Sequence, residues 1–153
     1  MVEWVTESAE ETCLLGDRLG VVLKSGDIIL LSGDLGAGKT TFVQGIARGM
    51  GIDDQVTSPT FTLIQEYGRG DHCLVHVDPY RLESEEDLIG IGFEEFVEGG
   101  AVLAVEWSER LGSLTPQHRL DIRIDCLEND ARRVTMLPSG ERYEEIVRQV
   151  APC

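Results

Sequence analysis

The architecture of this chain follows from residues Asp27-Ile28-Ile29-Leu30-Leu31-Ser32-Gly33-Asp34-Leu35-Gly36-Ala37-Gly38-Lys39-Thr40. Its first half is a continuous apolar run, which is typical of a strand buried on both faces of a parallel sheet. Its second half matches the pattern G-x-x-x-x-G-K-[ST] in full. The chain contains 17 glycines, and Lys24 and Lys39 are its only lysines, so about 0.003 matches are expected by chance. Strand, glycine-rich turn and following helix together predict a phosphate-binding loop.

Each residue type in this loop suits a bound triphosphate. Glycines let backbone N–H groups converge on phosphate oxygens, and the lysine supplies a positive charge for the β and γ oxygens. The threonine hydroxyl can ligate Mg²⁺, and the next helix presents its positive end to the same anion. The loop residues predicted to bind the nucleotide are Gly33, Asp34, Leu35, Gly36, Ala37, Gly38, Lys39, Thr40 and Thr41.

A site for MgATP also needs a carboxylate at the end of a neighbouring buried strand. Glu106 follows the apolar run 101–105, and Asp78 follows the apolar run 74–77. In a chain with 28 acidic residues, either one alone could be an ordinary solvated carboxylate. We assign Glu106, with Thr40, to the metal shell and Asp78 to positioning or deprotonating the attacking water. The predicted catalytic residues are therefore Lys39, Asp78 and Glu106.

The remaining elements surround this motif. Residues 8–11 fit a capping box that begins an amphipathic helix ending near residues 24–26. Further strands are predicted at 61–67 and 73–77, as a hairpin, and at 101–105, 120–126 and 132–137. Further helices are predicted from 40 to about 50 and at 84–88, 93–97 and 141–150. We expect one domain over residues 1–153, with a three-layer α/β, P-loop NTPase-like fold whose mostly parallel central sheet carries appended antiparallel strands.

Composition limits the partners. The formal net charge is −15 and the pI is about 4.4, which disfavours direct contact with nucleic acid or anionic lipid. No apolar run approaches the roughly 18 residues that span a bilayer, and the N-terminus lacks the pattern of a secretion signal. The four cysteines are widely scattered, without a C-x-x-C pair. We expect reduced thiols in a soluble, cytoplasmic protein without a membrane partner.

Four segments carry a resemblance to a known family: residues 33–42, the Ser-Pro-Thr-Phe-Thr-Leu run at 58–63, the His-x-Asp-x-Tyr-Arg-Leu run at 76–82, and Val-Glu-Trp at 105–107. In order and approximate spacing they resemble the bacterial TsaE (YjeE) family over most of the chain. The resemblance implies a small P-loop ATPase, required with TsaB and TsaD for the threonylcarbamoyl modification of the adenosine beside the anticodon of certain tRNAs. The sequence departs from the family pattern at Pro79, where many members carry leucine, and at Ser108, which replaces a common proline. These two differences affect only the shapes of local loops.

The same resemblance implies roles for individual residues. Thr40 and Glu106 would bind Mg²⁺, and Asp78 would be needed for hydrolysis. The loop 58–60 would sense the nucleotide, with Thr60 among the nucleotide-binding residues. Contact with tRNA would be indirect, through the TsaB and TsaD partners.

For several residues the sequence allows two interpretations of their role. Trp107 can be a core or rim aromatic, or a functional contact. Arg81 can neutralise transferring phosphate, although a surface salt bridge to a nearby glutamate is favoured. His76 shares a strand face with Asp78 and can orient it, although a satisfied strand histidine is favoured. The seven acids within residues 83–98 suit a solvated face, or a surface that meets a basic partner.

Three functions are compatible with the motif. The favoured one is an ATPase that turns over slowly alone, because no group in the chain evidently supplies charge to the transition state, and that its partners stimulate. The alternatives are a small P-loop kinase of a nucleoside or other small molecule, and a non-hydrolytic nucleotide-gated assembly module. No N-K-x-D base-reading motif is present, which disfavours GTP.

Overall fold

The computed structural model describes residues 1–34, 36–57, 63–70 and 72–151. The strands are β1 (Val2–Thr6), β2 (Ile28–Gly33), β3 (Ile64–Arg69), β4 (His72–Val77), β5 (Val102–Val105), β6 (Arg119–Cys126) and β7 (Arg132–Ser139). The α-helices are α1 (Ala9–Val22), α2 (Lys39–Gly49), α3 (Glu85–Gly90), α4 (Phe93–Glu98) and α5 (Glu141–Val150). Two 3-10 turns span Pro79–Arg81 and Ser108–Leu114.

The strands form one sheet in the order β1-β7-β6-β2-β5-β4-β3. The central strands β6, β2, β5 and β4 are parallel to one another. At one edge β3 pairs antiparallel with β4, and at the other β7 and β1 continue antiparallel from β6. The expected mostly parallel sheet with appended antiparallel strands is confirmed.

The sheet is covered on both faces, which explains the uninterrupted apolar run in β2. Ile29 and Leu31 pack with α1, α2 and α5 on one face, whereas Ile28 and Leu30 pack with α3 and α4 on the other. Successive strand residues point to opposite faces, so a strand covered on both sides must be apolar throughout. The three predicted layers are therefore present.

Helices α1 and α2 pack with their backbones in contact. Gly16 and Gly20 of α1 face Gly45 and Gly49 of α2, and a Cβ on any of them would lie 2.0–2.3 Å from a backbone carbonyl oxygen of the other helix. Real Cβ atoms do not approach so closely, so only glycine permits this separation. Because α2 follows the glycine-rich turn, this packing also fixes where the turn lies.

The start of α1 carries the predicted cap with one difference. The Ser8 hydroxyl accepts a hydrogen bond from the Glu11 backbone N–H at 3.1 Å. The Glu11 carboxylate accepts from the backbone N–H of Glu7 at 2.5 Å, one residue earlier than a capping box requires. Both contacts satisfy N–H groups at the beginning of the helix.

Some boundaries and elements differ from the predictions. The sequence pattern predicts no element at β1 or at the turn Ser108–Leu114, and α1 ends earlier than predicted. Gly68 and Arg69, predicted in the hairpin connection, belong to β3. Of the predicted strand 61–67, residues 61 and 62 lie outside the described residues. Within the described ranges, no helix has the length and apolar character that crossing a membrane requires.

Candidate functional site

The glycine-rich turn connects the carboxyl end of β2 to the start of α2. Gly33 has φ +134°, and a Cβ there would lie 2.1 Å from the carbonyl oxygen of Ile124 on β6. Gly38 has φ +103° and directly precedes the first turn of α2. Both conformations favour glycine, so the motif spacing follows from the backbone path. Lys39 and Thr40 then begin the helix, at its positive end.

The Lys39 ammonium group lies inside the turn and is nearly covered, with the residue 5% exposed. Its Nζ donates to the carbonyl oxygens of Gly33 at 2.8 Å and Asp34 at 3.0 Å. It also lies 4.0 Å from the ring centroid of Trp107, which is close enough for a cation–π contact. Burial lowers the pKa of Lys39 from its ordinary 10.5, and the nearby Glu106 carboxylate opposes that shift.

Thr40 and Glu106 meet at the ends of two neighbouring elements. The Thr40 hydroxyl lies 3.1 Å from Oε2 and 3.4 Å from Oε1 of Glu106, which directly follows β5 and is 4% exposed. A hydroxyl and a carboxylate are the hard oxygen ligands that Mg²⁺ prefers when it also binds phosphate oxygens and water. Among the described residues, no group of three or more His, Cys, Asp and Glu could hold a metal without such help. The oxygen pair therefore fits a magnesium ion that arrives with a phosphate.

His76 contacts the same carboxylate. Its Nε2 lies 2.5 Å from Oε2 of Glu106, and the residue has no exposed surface. Strand alternation places His76 on the same face as Asp78, which allows the histidine to orient that acid. The hydrogen bond goes instead to Glu106, across the pairing of β4 with β5.

Asp78 lies at the end of β4, beside Lys39 and Glu106. It is 1% exposed, and its Oδ1 accepts a hydrogen bond from the backbone N–H of Tyr80 at 3.0 Å. Its own N–H donates to the carbonyl oxygen of Leu63 at 2.8 Å. The carboxylate adds to the negative potential around Lys39. Asp78 therefore caps the turn Pro79–Arg81 and also faces the phosphate-binding loop.

Aromatic rings cover this side of the site. The Tyr80 and Trp107 ring centroids are 5.0 Å apart, and the Arg110 guanidinium carbon lies 5.7 Å from the Tyr80 ring centroid. Trp107 has φ +53°, an unusual conformation for a residue with a large side chain. That backbone conformation leads directly into the turn Ser108–Leu114. The Trp107 ring is thus a wall of the Lys39 site.

A cavity of about 270 Å³ opens on the other side of the loop. Arg132, at the start of β7, donates from Nε to the carbonyl oxygen of Ala37 at 3.0 Å and from Nη2 to that of Gly36 at 3.4 Å. These contacts tie the loop to the start of β7. The other polar lining comes from Glu7, Ser8, Thr12, Thr41 and Asp130.

Comparison with known proteins decides the family. The family model described as "Threonylcarbamoyl adenosine biosynthesis protein TsaE" matches residues 6–134. The chain belongs to the TsaE family. It is similar to "tRNA threonylcarbamoyladenosine biosynthesis protein TsaE" of Bacillus subtilis (strain 168), with 41% identity over 98% of this chain and 94% of the relative. The Treponema pallidum (strain Nichols) protein of the same name is 42% identical over 86% of this chain and 97% of the relative.

The fold comparison agrees with the TsaE assignment. The crystal structure of Bacillus subtilis YdiB superposes with a TM-score of 0.82 at 37% sequence identity. The superposition covers 97% of this chain and 93% of that structure. The expected P-loop NTPase-like class is thus confirmed.

Within this TsaE-family chain, Lys39, Thr40, Asp78 and Glu106 come together beyond the carboxyl ends of the parallel strands β2, β4 and β5. Thr41 lines the cavity on the other side of the loop. Leu35 and the loop 58–60, including Thr60, lie outside the described residues. Sequence reasoning missed Arg132 and the link between His76 and Glu106. The available signal for His76 was its buried strand position, two residues before Asp78.

Proposed function

We propose that this TsaE-family chain binds MgATP and hydrolyses it slowly, in the cytoplasm, in support of tRNA threonylcarbamoyladenosine biosynthesis. TsaB and TsaD homologues would be its partners. The observation that carries the proposal is the convergence of Lys39, Thr40 and Glu106 at the mouth of α2, with Asp78 beside them. This combination provides one cation, an oxygen pair suited to magnesium and a carboxylate for water, as phosphoryl transfer to water requires.

The triphosphate would lie along the glycine-rich turn. Backbone N–H groups of the turn and of the first turn of α2 would hold its oxygens, and Lys39 would exchange its two carbonyl contacts for the β and γ phosphates. The cavity beside Thr41 would receive the nucleoside, since it adjoins the turn and carries hydroxyl groups and Arg132. Mg²⁺ bound at Thr40 and Glu106 would neutralise charge on the β and γ oxygens.

Asp78 would position the attacking water or accept its proton. Burial and proximity to the loop suit this task, and its Oδ1 is already fixed by the Tyr80 N–H. Two arginines near the site already have hydrogen-bond partners. Arg110 donates to the carbonyl oxygen of Leu82, and Arg132 donates to carbonyl oxygens of the glycine-rich turn. We therefore propose that a partner supplies positive charge to the transition state, so turnover is slow without it.

A second candidate is a nucleotide-gated assembly module that does not need hydrolysis. The observation that favours it is the cap that Asp78 provides to the turn Pro79–Arg81, because a capping carboxylate can be retained for structure alone. In that case nucleotide binding would set the conformation of the turn, and partner proteins would bind only to that conformation.

Calorimetric titration of ATP and GTP, with Mg²⁺ and with EDTA, tests the binding step. We expect magnesium-dependent binding of ATP, and no such binding would refute the proposal. Phosphate release is then measured with and without TsaB and TsaD homologues, and stimulation by the partners is expected. Phosphate transfer to a nucleoside or sugar acceptor in place of water would support the kinase alternative.

Asp78→Asn separates hydrolysis from gating, because asparagine keeps an oxygen that can cap Tyr80. We expect nucleotide affinity to stay within about threefold while turnover falls by about 10²-fold or more, the usual contribution of a general base. If tRNA modification by the full set of proteins survives the loss of turnover, the assembly-module function is correct.

A further inference from the structure

We infer that His76 is a positioning residue for Glu106, holding its carboxylate in the orientation that magnesium binding requires. The inference rests on the proposed function and adds to it a residue outside the predicted catalytic set. The contact that carries it is the 2.5 Å approach of His76 Nε2 to Glu106 Oε2, between side chains that are 0% and 5% exposed.

The strand pairing explains why these two side chains meet. In the parallel register of β4 and β5, His76 lies opposite Ala104. Ala104 has the smallest side chain in β5, so it leaves room beside the strand for the imidazole ring. Glu106 is two residues further on and points to the same face. The ring therefore reaches across the position of Ala104 to the carboxylate.

The direction of the hydrogen bond follows from the partners. An ionised carboxylate only accepts, so Nε2–H of His76 donates to Glu106. The other ring nitrogen, Nδ1, is buried and has no hydrogen-bond partner among the described residues.

This contact gives the two carboxylate oxygens of Glu106 different roles. Oε2 accepts from His76 and lies 3.1 Å from the Thr40 hydroxyl, whereas Oε1 lies 3.4 Å from that hydroxyl and does not contact His76. Fixing Oε2 therefore leaves Oε1 presented to the site. Groups that orient a metal-binding carboxylate in this way typically change metal affinity by about 10- to 100-fold.

Three variants test the inference. In His76→Gln the amide nitrogen is separated from Cβ by the same number of bonds as Nε2, so the donor is kept. In His76→Asn the amide nitrogen takes the place of Nδ1 and cannot reach Glu106. His72→Gln is the matched control, because His72 is an exposed histidine on the same strand.

Two properties are measured for each variant. Nucleotide affinity in EDTA reports binding of phosphate by the glycine-rich turn without a metal ion. Mn²⁺ binding to the nucleotide complex, followed by electron paramagnetic resonance, reports the metal site at Thr40 and Glu106. We expect His76→Asn to weaken Mn²⁺ binding by at least about tenfold, with nucleotide affinity in EDTA within about twofold of wild type. His76→Gln should recover Mn²⁺ binding to within about threefold, and His72→Gln should match wild type.

Unchanged Mn²⁺ binding in His76→Asn would overturn the inference, and so would equal weakening in His76→Gln and His76→Asn. If His76→Asn does not fold, His76→Gln alone decides, since recovery there requires a donor at the Nε2 position. Failure of the wild-type protein to bind nucleotide would instead refute the proposed function, and with it the metal role of His76. The two failures are thus distinguishable.

Discussion

At the scale of single residues, Lys39 combines a buried ammonium group with a pKa lowered by that burial. The charge is held by two backbone carbonyls and the face of Trp107, which are weaker partners than phosphate. Such a group is costly to bury in the absence of ligand. Under the proposed function, the phosphates that Lys39 would bind explain its position, and we expect its burial to reduce stability in the absence of nucleotide.

Lys39→Met should separate these two effects. We expect nucleotide affinity to fall by at least about 30-fold, because the phosphates lose a buried charge partner. The free energy of unfolding without nucleotide should stay unchanged or rise. Lys24→Met is the matched control, since Lys24 is exposed, and a similar loss of affinity there would contradict the assignment.

The pH dependence of the same variant has a definite sign. Because the folded pKa of Lys39 lies below 10.5, the folded state binds fewer protons than the unfolded state between that pKa and 10.5. The cost of the buried charge is fully present below this window and is relieved as pH rises through it. Wild-type stability should therefore increase relative to Lys39→Met on the alkaline side, as measured by urea unfolding from pH 8 to 11.

At the scale of elements, the contact between α1 and α2 depends on glycine. Gly45→Ala would place a Cβ 2.0 Å from the carbonyl oxygen of Cys13, and such overpacking should cost about 1–3 kcal/mol of unfolding free energy. Gly90→Ala, in α3, is the control because nothing lies within 4 Å of the added Cβ. Helix propensity predicts unchanged or slightly higher stability there. Equal stabilities in urea unfolding would contradict the packing account.

The contact of Trp107 with Lys39 predicts an optical signal. Trp4 and Trp107 are the two tryptophans of the chain, so Trp4→Phe leaves Trp107 as the single indole. Addition of a magnesium complex of a non-hydrolysable triphosphate should change its emission, because the ammonium group leaves the ring face. Trp4→Phe combined with Lys39→Met should show no such change. If the emission still changes in the double variant, Lys39 is not the cause of the change.

The elements near the glycine-rich turn were predictable because their signals are local. A buried apolar strand, the motif itself and the Ser8 cap each depend on residues close in sequence. β1 was missed, since a short edge strand gains its stability from pairing with β7. The partner of His76 was missed for a related reason, because it follows from the register of β4 against β5. The cavity combines residues 7–12 with 130–132, which no local pattern connects.

At the scale of the whole molecule, the net charge of −15 sets how tRNA can be involved. A polyanion approaching this surface meets repulsion, since affinity for nucleic acid depends mainly on neutralising phosphates with Lys and Arg. We expect the isolated chain not to shift tRNA in a native gel at about 0.15 M salt. A shift should appear only with TsaB and TsaD homologues present. A shift with the isolated chain would contradict this prediction, because it would mean that tRNA contacts this protein directly.

The interlocked glycines of α1 and α2 have a consequence for motion. The start of α1 lines the cavity and the start of α2 carries Lys39 and Thr40, so backbone contact between the helices makes these surfaces a single rigid unit. Under the proposed function, a change in bound nucleotide would instead be transmitted on the side of Trp107, which leads into the turn Ser108–Leu114. That turn packs on the face with α3 and α4. Under this proposal, a partner protein would therefore detect the bound nucleotide at the face that carries the seven acids of residues 83–98.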